Sequence, residues 1–144
     1  MRRVLIALVL ASLAHPCLAQ DPSAASGLEE LSFVLGESHA LRQACAGSAD
    51  QFWRGRMAAL VAAAVPDPDL EARMRESFNQ GFANQPRAFP RCSGASRDAA
   101  ADVAARGQEL SQHLSALAQA ARDAAADPST GPATDSMAQD VAPR

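Results

Sequence analysis

Residues 93–126 read SGASRDAAADVAARGQELSQHLSALAQAARDAAA. Val103, Gly107, Leu110, Leu114, Leu117, Ala121 and Ala124 recur alternately four and three residues apart, which is the period of an α-helix with one apolar stripe. The stretch predicts a helix that starts near Ser93 or Ser96 and runs to Ala126, before Asp127-Pro128. At 1.5 Å per residue such a helix is about 45 Å long, whereas a 100-residue domain has a radius of gyration near ~13 Å. Its far end must therefore project, bend back near Gly107, or be covered by another long helix. Gly107 permits either a kink or close packing, and the sequence leaves its continuity open.

Working backwards, three shorter helices precede it. Leu70, Met74, Phe78 and Phe82 lie four apart, behind a capping Asp67 and a Pro68 suited to a first helical position. Asp69 and Glu71 occupy the first turn, where the helix dipole favours negative charge. Pro86 and Pro90 should bracket an irregular segment that leads to Cys92. Trp53, Met57, Leu60, Val61 and Ala64 form one face of a helix that Ser48 with Gln51 should cap and Pro66 should end. Leu28, Leu31, Leu35, Leu41 and Cys45 mark the first helix, with Ser26 and Glu29 as a capping box and Gly47 as its stop. The fold class is thus all-α: a small bundle of about four helices with a long C-terminal helix. Asp50 with Arg54, Glu71 with Arg75, and Asp102 with Arg106 have the acid-before-base spacing of exposed helix pairs. Trp53, on an apolar stripe, is expected to be a core anchor.

The ends read differently. Arg2-Arg3, the apolar run Val4–Ala14, Pro16 and the small residues Cys17 and Ala19 have the layout of a secretory signal peptide cleaved after Ala19. The run is about half the ~20 residues that span a bilayer, so no stable membrane anchor is expected after cleavage. Residues 20–26 are expected to be a flexible leader, 27–127 the helical domain, and 128–144, rich in Pro, Ser, Thr, Gly, Ala and Asp, a disordered tail. Removing Arg2 and Arg3 leaves eleven arginines, with no lysine, against sixteen acids, a formal charge of −5. That balance, without a basic stripe, argues against nucleic acid and anionic membranes as main partners. Loss of Cys17 leaves Cys45 and Cys92, which in an oxidising compartment read as one disulfide worth about 4 kcal/mol of loop-closure entropy.

Few residues suggest chemistry. The mature chain keeps only His39 and His113, too few ligands for a metal site, and no cofactor motif is present. No serine sits in a nucleophile elbow. Glu37 and His39 are the candidate pair for a cell-wall hydrolase. Glu37 is more readily read as an ion-pair partner of Arg42, Arg54 or Arg56. The segment Arg87-x-x-x-Arg91-Cys92-Ser93-Gly94-x-Ser96-Arg97 sets arginines and hydroxyls beside a helix start, where an anion can be held. Candidate ligand or anion contacts are therefore Glu37, His39, Arg42, Arg54, Arg91 and Arg97. Leu114, Leu117, Ala121 and Ala124 are the candidate seam for self-association or a protein partner.

The series Leu35-Gly36-Glu37-x-His39-x-Leu41-Arg42-x-x-Cys45, Trp53-Arg54-x-x-Met57, Phe78-Asn79-x-Gly81-Phe82 and Cys92 resembles an uncharacterised family of small exported alphaproteobacterial proteins, a conserved domain of unknown function. The resemblance spans roughly Leu28 to Ala118. The family pattern has tyrosines at or near Phe82 and Phe89. The resemblance implies a periplasmic location and a shared helical fold, and no activity. The leading expectation is a periplasmic or envelope interaction or structural module without enzymatic activity. The alternative is a binding protein for a small or polymeric envelope ligand, anionic or not, and after that the hydrolase.

Overall fold

A computed structural model describes residues 21–126. The expected signal peptide at 1–19 and tail at 128–144 lie outside the described residues. Four helices follow in order: α1 Pro22–Ala46, α2 Phe52–Ala64, α3 Pro68–Ala88 and α4 Gly94–Ala126. Among the described residues no helix is long and apolar enough to cross a membrane.

Each boundary has a local cause. Asp21 accepts hydrogen bonds from the backbone N–H groups of Ser23 and Ala24, and Pro22 fills the first helical position. The first helix therefore starts at Pro22, ahead of the Ser26 cap, and residues 22–26 are helical rather than a flexible leader. Ala24 is fully buried there. Gly47, at φ 93°, ends α1 in a conformation that side chains rarely adopt. Gln51 stands at the head of α2 without a side-chain cap. Asp50 takes over that role, its Oδ1 accepting from Phe52 N–H at 3.1 Å. Asp67 caps α3 through Leu70 N–H at 2.8 Å, with Pro68 first in the helix. The helix then continues through Pro86 to Ala88, so the irregular connection is shorter than the prolines suggested.

The topology is up-down-up-down about α1. Glu29 meets Arg73 and Glu37 meets Gln85, so α3 runs parallel to α1. Gly27 meets Leu114, Val34 meets Gly107 and Cys45 meets Ser96, so α4 runs antiparallel to α1 along nearly its full length. From Leu31 to Leu41 every α1 residue except the half-buried Phe33 is buried, on all faces, as expected of a central helix. One core cluster joins Leu28, Leu31 and Leu35 to Met57, Leu70, Met74, Phe78 and Leu114. A second joins Val34 and Leu41 to Val103.

Glycines set the closest crossing. A Cβ on Gly36 would strike the Phe78 carbonyl, and one on Gly81 would strike the Phe33 carbonyl. α1 and α3 thus touch backbone to backbone. On the other side α4 passes Gly107 without interruption, and the absent side chain there admits Val34. The stripe is covered as far as Leu117 because α1 lies alongside it. Leu114 is buried over Gly27 and Leu117 packs partly into the core, so both are core positions rather than an exposed seam. Ala121 is half-buried and Ala124 exposed. Cys45 and Cys92 form a disulfide, Cα–Cα 4.6 Å, tying the end of α1 to the segment before α4.

Candidate functional site

α2 stands apart from α4, and the gap between them is floored by α1. Two cavities lie along this gap. One, about 330 Å³, is lined by Ser38, Leu41, Arg42, Cys45, Trp53, Cys92, Ser96, Arg97, Ala100 and Ala104. The other, about 220 Å³, is lined by Leu31, Val34, Leu35, Ser38, Trp53, Val103, Ala104, Gly107, Gln108 and Ser111. They share Ser38, Trp53 and Ala104, so they make one groove. Its floor and walls are mainly apolar; its charged groups, Arg42 and Arg97, stand at the disulfide end, and Gln108 and Ser111 line the other cavity. The small residues of α4, Ala100, Ala104 and Gly107, leave this volume unfilled; longer side chains at those positions would close it.

Trp53 sits where the two cavities meet. It is half-buried and packs against the main core, with Phe52 edge-on at a centroid distance of 5.1 Å. It is a core anchor on one side, as its stripe predicted, and a wall of the groove on the other. Phe52 is itself exposed, and Arg42 and Arg56 lie over its ring at 4.9 and 5.7 Å.

The two cations of the groove are held differently. Arg42 Nε donates to both oxygens of Asp50 at 2.9 and 2.8 Å. The Phe52 N–H and then Arg42 keep the Asp50 carboxyl below the usual carboxylate range. Arg97 Nη1 approaches Cys92 Sγ at 3.9 Å. Beside it, Ser93 and Ser96 cap each other: Ser96 N–H donates to Ser93 Oγ at 3.1 Å, and Ser93 N–H to Ser96 Oγ at 2.8 Å. Two backbone donors that an anion could have used at the α4 start are therefore already engaged.

The other candidate contacts fall elsewhere. Glu37 is buried, accepting from Gln85 Nε2 at 2.7 Å and from Arg106 Nη2 at 2.5 Å. It links α1, α3 and α4, with Arg106 as partner in place of Arg42, Arg54 or Arg56. The expected pairing of Asp102 with Arg106 gives way to it, as that of Asp50 with Arg54 gives way to Arg42. Glu71 and Arg75 do pair as their spacing predicts. His39 is 1 % exposed, between the rings of Phe78 and Phe82 at 5.8 and 5.2 Å. Burial, and next the charge of Arg54, pushes its pKa down, with Asp50 opposing. Its Nδ1 has no hydrogen-bond partner. Its Nε2 faces Gln43 Nε2 at 3.2 Å, but that amide has two hydrogens and also donates to the carbonyls of Ser48 and Asp50, both at 3.0 Å. His39 is thus a neutral, poorly satisfied core residue. Neither Glu37 nor His39 lines the groove, so the two do not form a cleft with Trp53. Arg54 borders a separate cavity between α2 and α3, and Arg91 is exposed ahead of the disulfide.

Of the six candidate contacts, the fold brings Arg42 and Arg97 together. Trp53, Ser38, Ser96 and the disulfide join them, and for Ser38 no sequence signal existed. Among the described residues, no cluster of His, Cys, Asp or Glu could hold a metal ion. A family model described as "Protein of unknown function (DUF2385)" matches residues 25–117. Neither the curated proteins nor the solved structures yield a match.

Proposed function

The chain belongs to the DUF2385 family, and from the groove we propose that it is an exported, non-enzymatic binding module of the bacterial envelope. Its ligand combines an apolar body with an anionic group. The carrying observation is the α2–α4 groove of two adjoining cavities, with Trp53, Leu41 and Val103 along its apolar length and Arg42 and Arg97 at one end. Apolar concavities with a few convergent polar groups are the usual form of small-molecule sites. Export and a periplasmic location are supported by the Arg2-Arg3 start, the apolar run, the small residues before Gln20, and a disulfide suited to an oxidising compartment. Self-association through α4 is the weaker reading, since Leu114 is occupied by α1.

Trp53 is the chain's single tryptophan, so its emission reports the groove directly. Decyl phosphate, below its micelle concentration, should change that emission saturably, and Arg97→Glu should weaken the response. An equal response to a neutral decyl glycoside would remove the anionic requirement. No saturable change with either amphiphile would sink the binding reading. Export is checked by fractionating expressing bacteria and sequencing the N-terminus, which should begin at Gln20; full-length protein retained in the cytoplasm refutes it.

A further inference from the structure

The disulfide is a wall of the groove, and its two sulfurs have different surroundings. Both cysteines are exposed and both line the larger cavity. Cys92 Sγ is approached by the Arg97 guanidinium at 3.9 Å and lies two residues ahead of the first residue of α4. Cys45 Sγ, at the last turn of α1, lies 4.0 Å from the neutral Ser96 hydroxyl and at the end of its helix where the dipole disfavours a thiolate. A cation and a helix N-terminus stabilise a thiolate. In thiol–disulfide exchange the sulfur that leaves more readily is the one whose thiolate is stabilised, and attack falls on the other. We propose that this bond is a thiol-exchange site: an incoming thiolate is captured on Cys45, and Cys92 leaves toward Arg97.

The step balances without an external oxidant. The thiolate sulfur forms a bond to Cys45 Sγ, the Cys45–Cys92 bond breaks, and its electron pair departs on Cys92 as thiolate. The product is a mixed disulfide on Cys45, with no net oxidation. Return attack by Cys92 on Cys45 expels the thiol and restores the bond. A second thiolate attacking the captured thiol's own sulfur releases a small disulfide and leaves both cysteines reduced. The groove offers the incoming thiol a place beside the bond, with Arg42 and Arg97 suiting one that carries a carboxylate. A disulfide buried in the core or flanked by two neutral residues would offer neither access nor direction.

The native protein is incubated with reduced glutathione, a carboxylate-bearing thiol. It is then trapped with N-ethylmaleimide and mapped by peptide mass spectrometry. Glutathione on Cys45 and maleimide on Cys92 are expected under conditions where circular dichroism shows the fold intact. Glutathione mainly on Cys92 overturns the assigned direction. A bond that exchanges only once the protein is unfolded overturns the site. Arg97→Ala should slow exchange severalfold in the folded protein and blur the choice between sulfurs; unchanged rate and regiochemistry count against the role of Arg97. In Cys45→Ser, the alkylation rate of Cys92 against pH should give a thiol pKa below the ordinary value of about 8.5. Should that variant not fold, the mapping on the native chain decides alone.

Discussion

At the scale of single residues, the fold depends on positions where a side chain is missing or badly served. Gly36 touches the Phe78 backbone, so Gly36→Ala must drive α1 and α3 apart. Overpacking of this kind costs about 1–3 kcal/mol or more, and exceeds the ~1 kcal/mol that alanine contributes to helix propensity. Gly55, in the exposed part of α2, faces open space where a methyl group would stand, so Gly55→Ala should instead stabilise by about 0.5–1 kcal/mol. Urea titrations of the two variants should move in opposite directions. His39 makes a second test. Its folded pKa lies below the ordinary ~6.5. The unfolded chain therefore takes up a proton first as pH falls. His39 contributes stability that is complete above about 6.5 and is lost as pH descends through the depressed folded value. His39→Leu leaves the Gln43 bonds to Ser48 and Asp50 in place and removes an unpartnered nitrogen. It should match the native protein within about 1 kcal/mol at pH 7 and lack its loss of stability as pH falls below about 6.5. A parallel decline in both would show that other groups carry the acid sensitivity.

Among the elements, α1 and α2 are opposites. α1 is enclosed by all three partners, whereas α2 buries Met57 alone completely and borders cavities on both flanks. Trp53, Leu60, Val61 and Ala64 attach it only in part. The disulfide does not include it. Native-state hydrogen exchange should therefore find the α2 amides opening at a much lower free energy than those of α1 from Leu31 to Leu41. Equal protection in the two helices would contradict this. The existence of the four helices was legible because their apolar residues repeat with helical period and Asp67-Pro68 and Gly47 punctuate them. The start of α1 was not, because a capping aspartate at Asp21 lies among small polar residues that also suit a linker. Nor was the path through Pro86, which lies within α3 although a proline there cannot donate to the carbonyl of Phe82. The central place of α1 was hidden too. A helix buried on every face shows no single stripe, and the buried polar residues Ser32, Glu37, Ser38 and His39 interrupt its apolar pattern.

For the molecule as a whole, the bundle sorts charges that the sequence scatters. Arg42, Arg54, Arg56, Arg87, Arg91 and Arg97 come from four helices and a connection, and the up-down-up-down path carries all of them to the disulfide end. Asp50, paired with Arg42, and Asp98 lie among them, with Asp102 one turn further along α4. Asp21, Glu29, Glu30, Asp67, Asp69 and Glu71 collect at the opposite end, where Arg73 and Arg75 pair with Glu29 and Glu71. A search for a basic stripe along the chain misses this, because the stripe exists only after α1 and α3 point the same way. The same assembly explains why Arg42 and Arg97, 55 positions apart, end on one cavity. An acidic protein, pI ≈ 5.5, thus presents a cationic end. Exposed charges act over about 10 Å at 0.1 M salt, a distance shorter than the bundle, so a surface meeting that end responds to it rather than to net charge. At pH 7 and about 0.1 M salt, where that screening holds, the protein should be delayed on a sulfonated resin despite its net negative charge. Arg91→Glu and Arg122→Glu alter net charge equally but lie at opposite ends. Arg91→Glu should shorten retention clearly and Arg122→Glu hardly at all. Equal shifts, or passage of the native protein without delay, would mean that net charge governs and that the cationic end has no reach of its own.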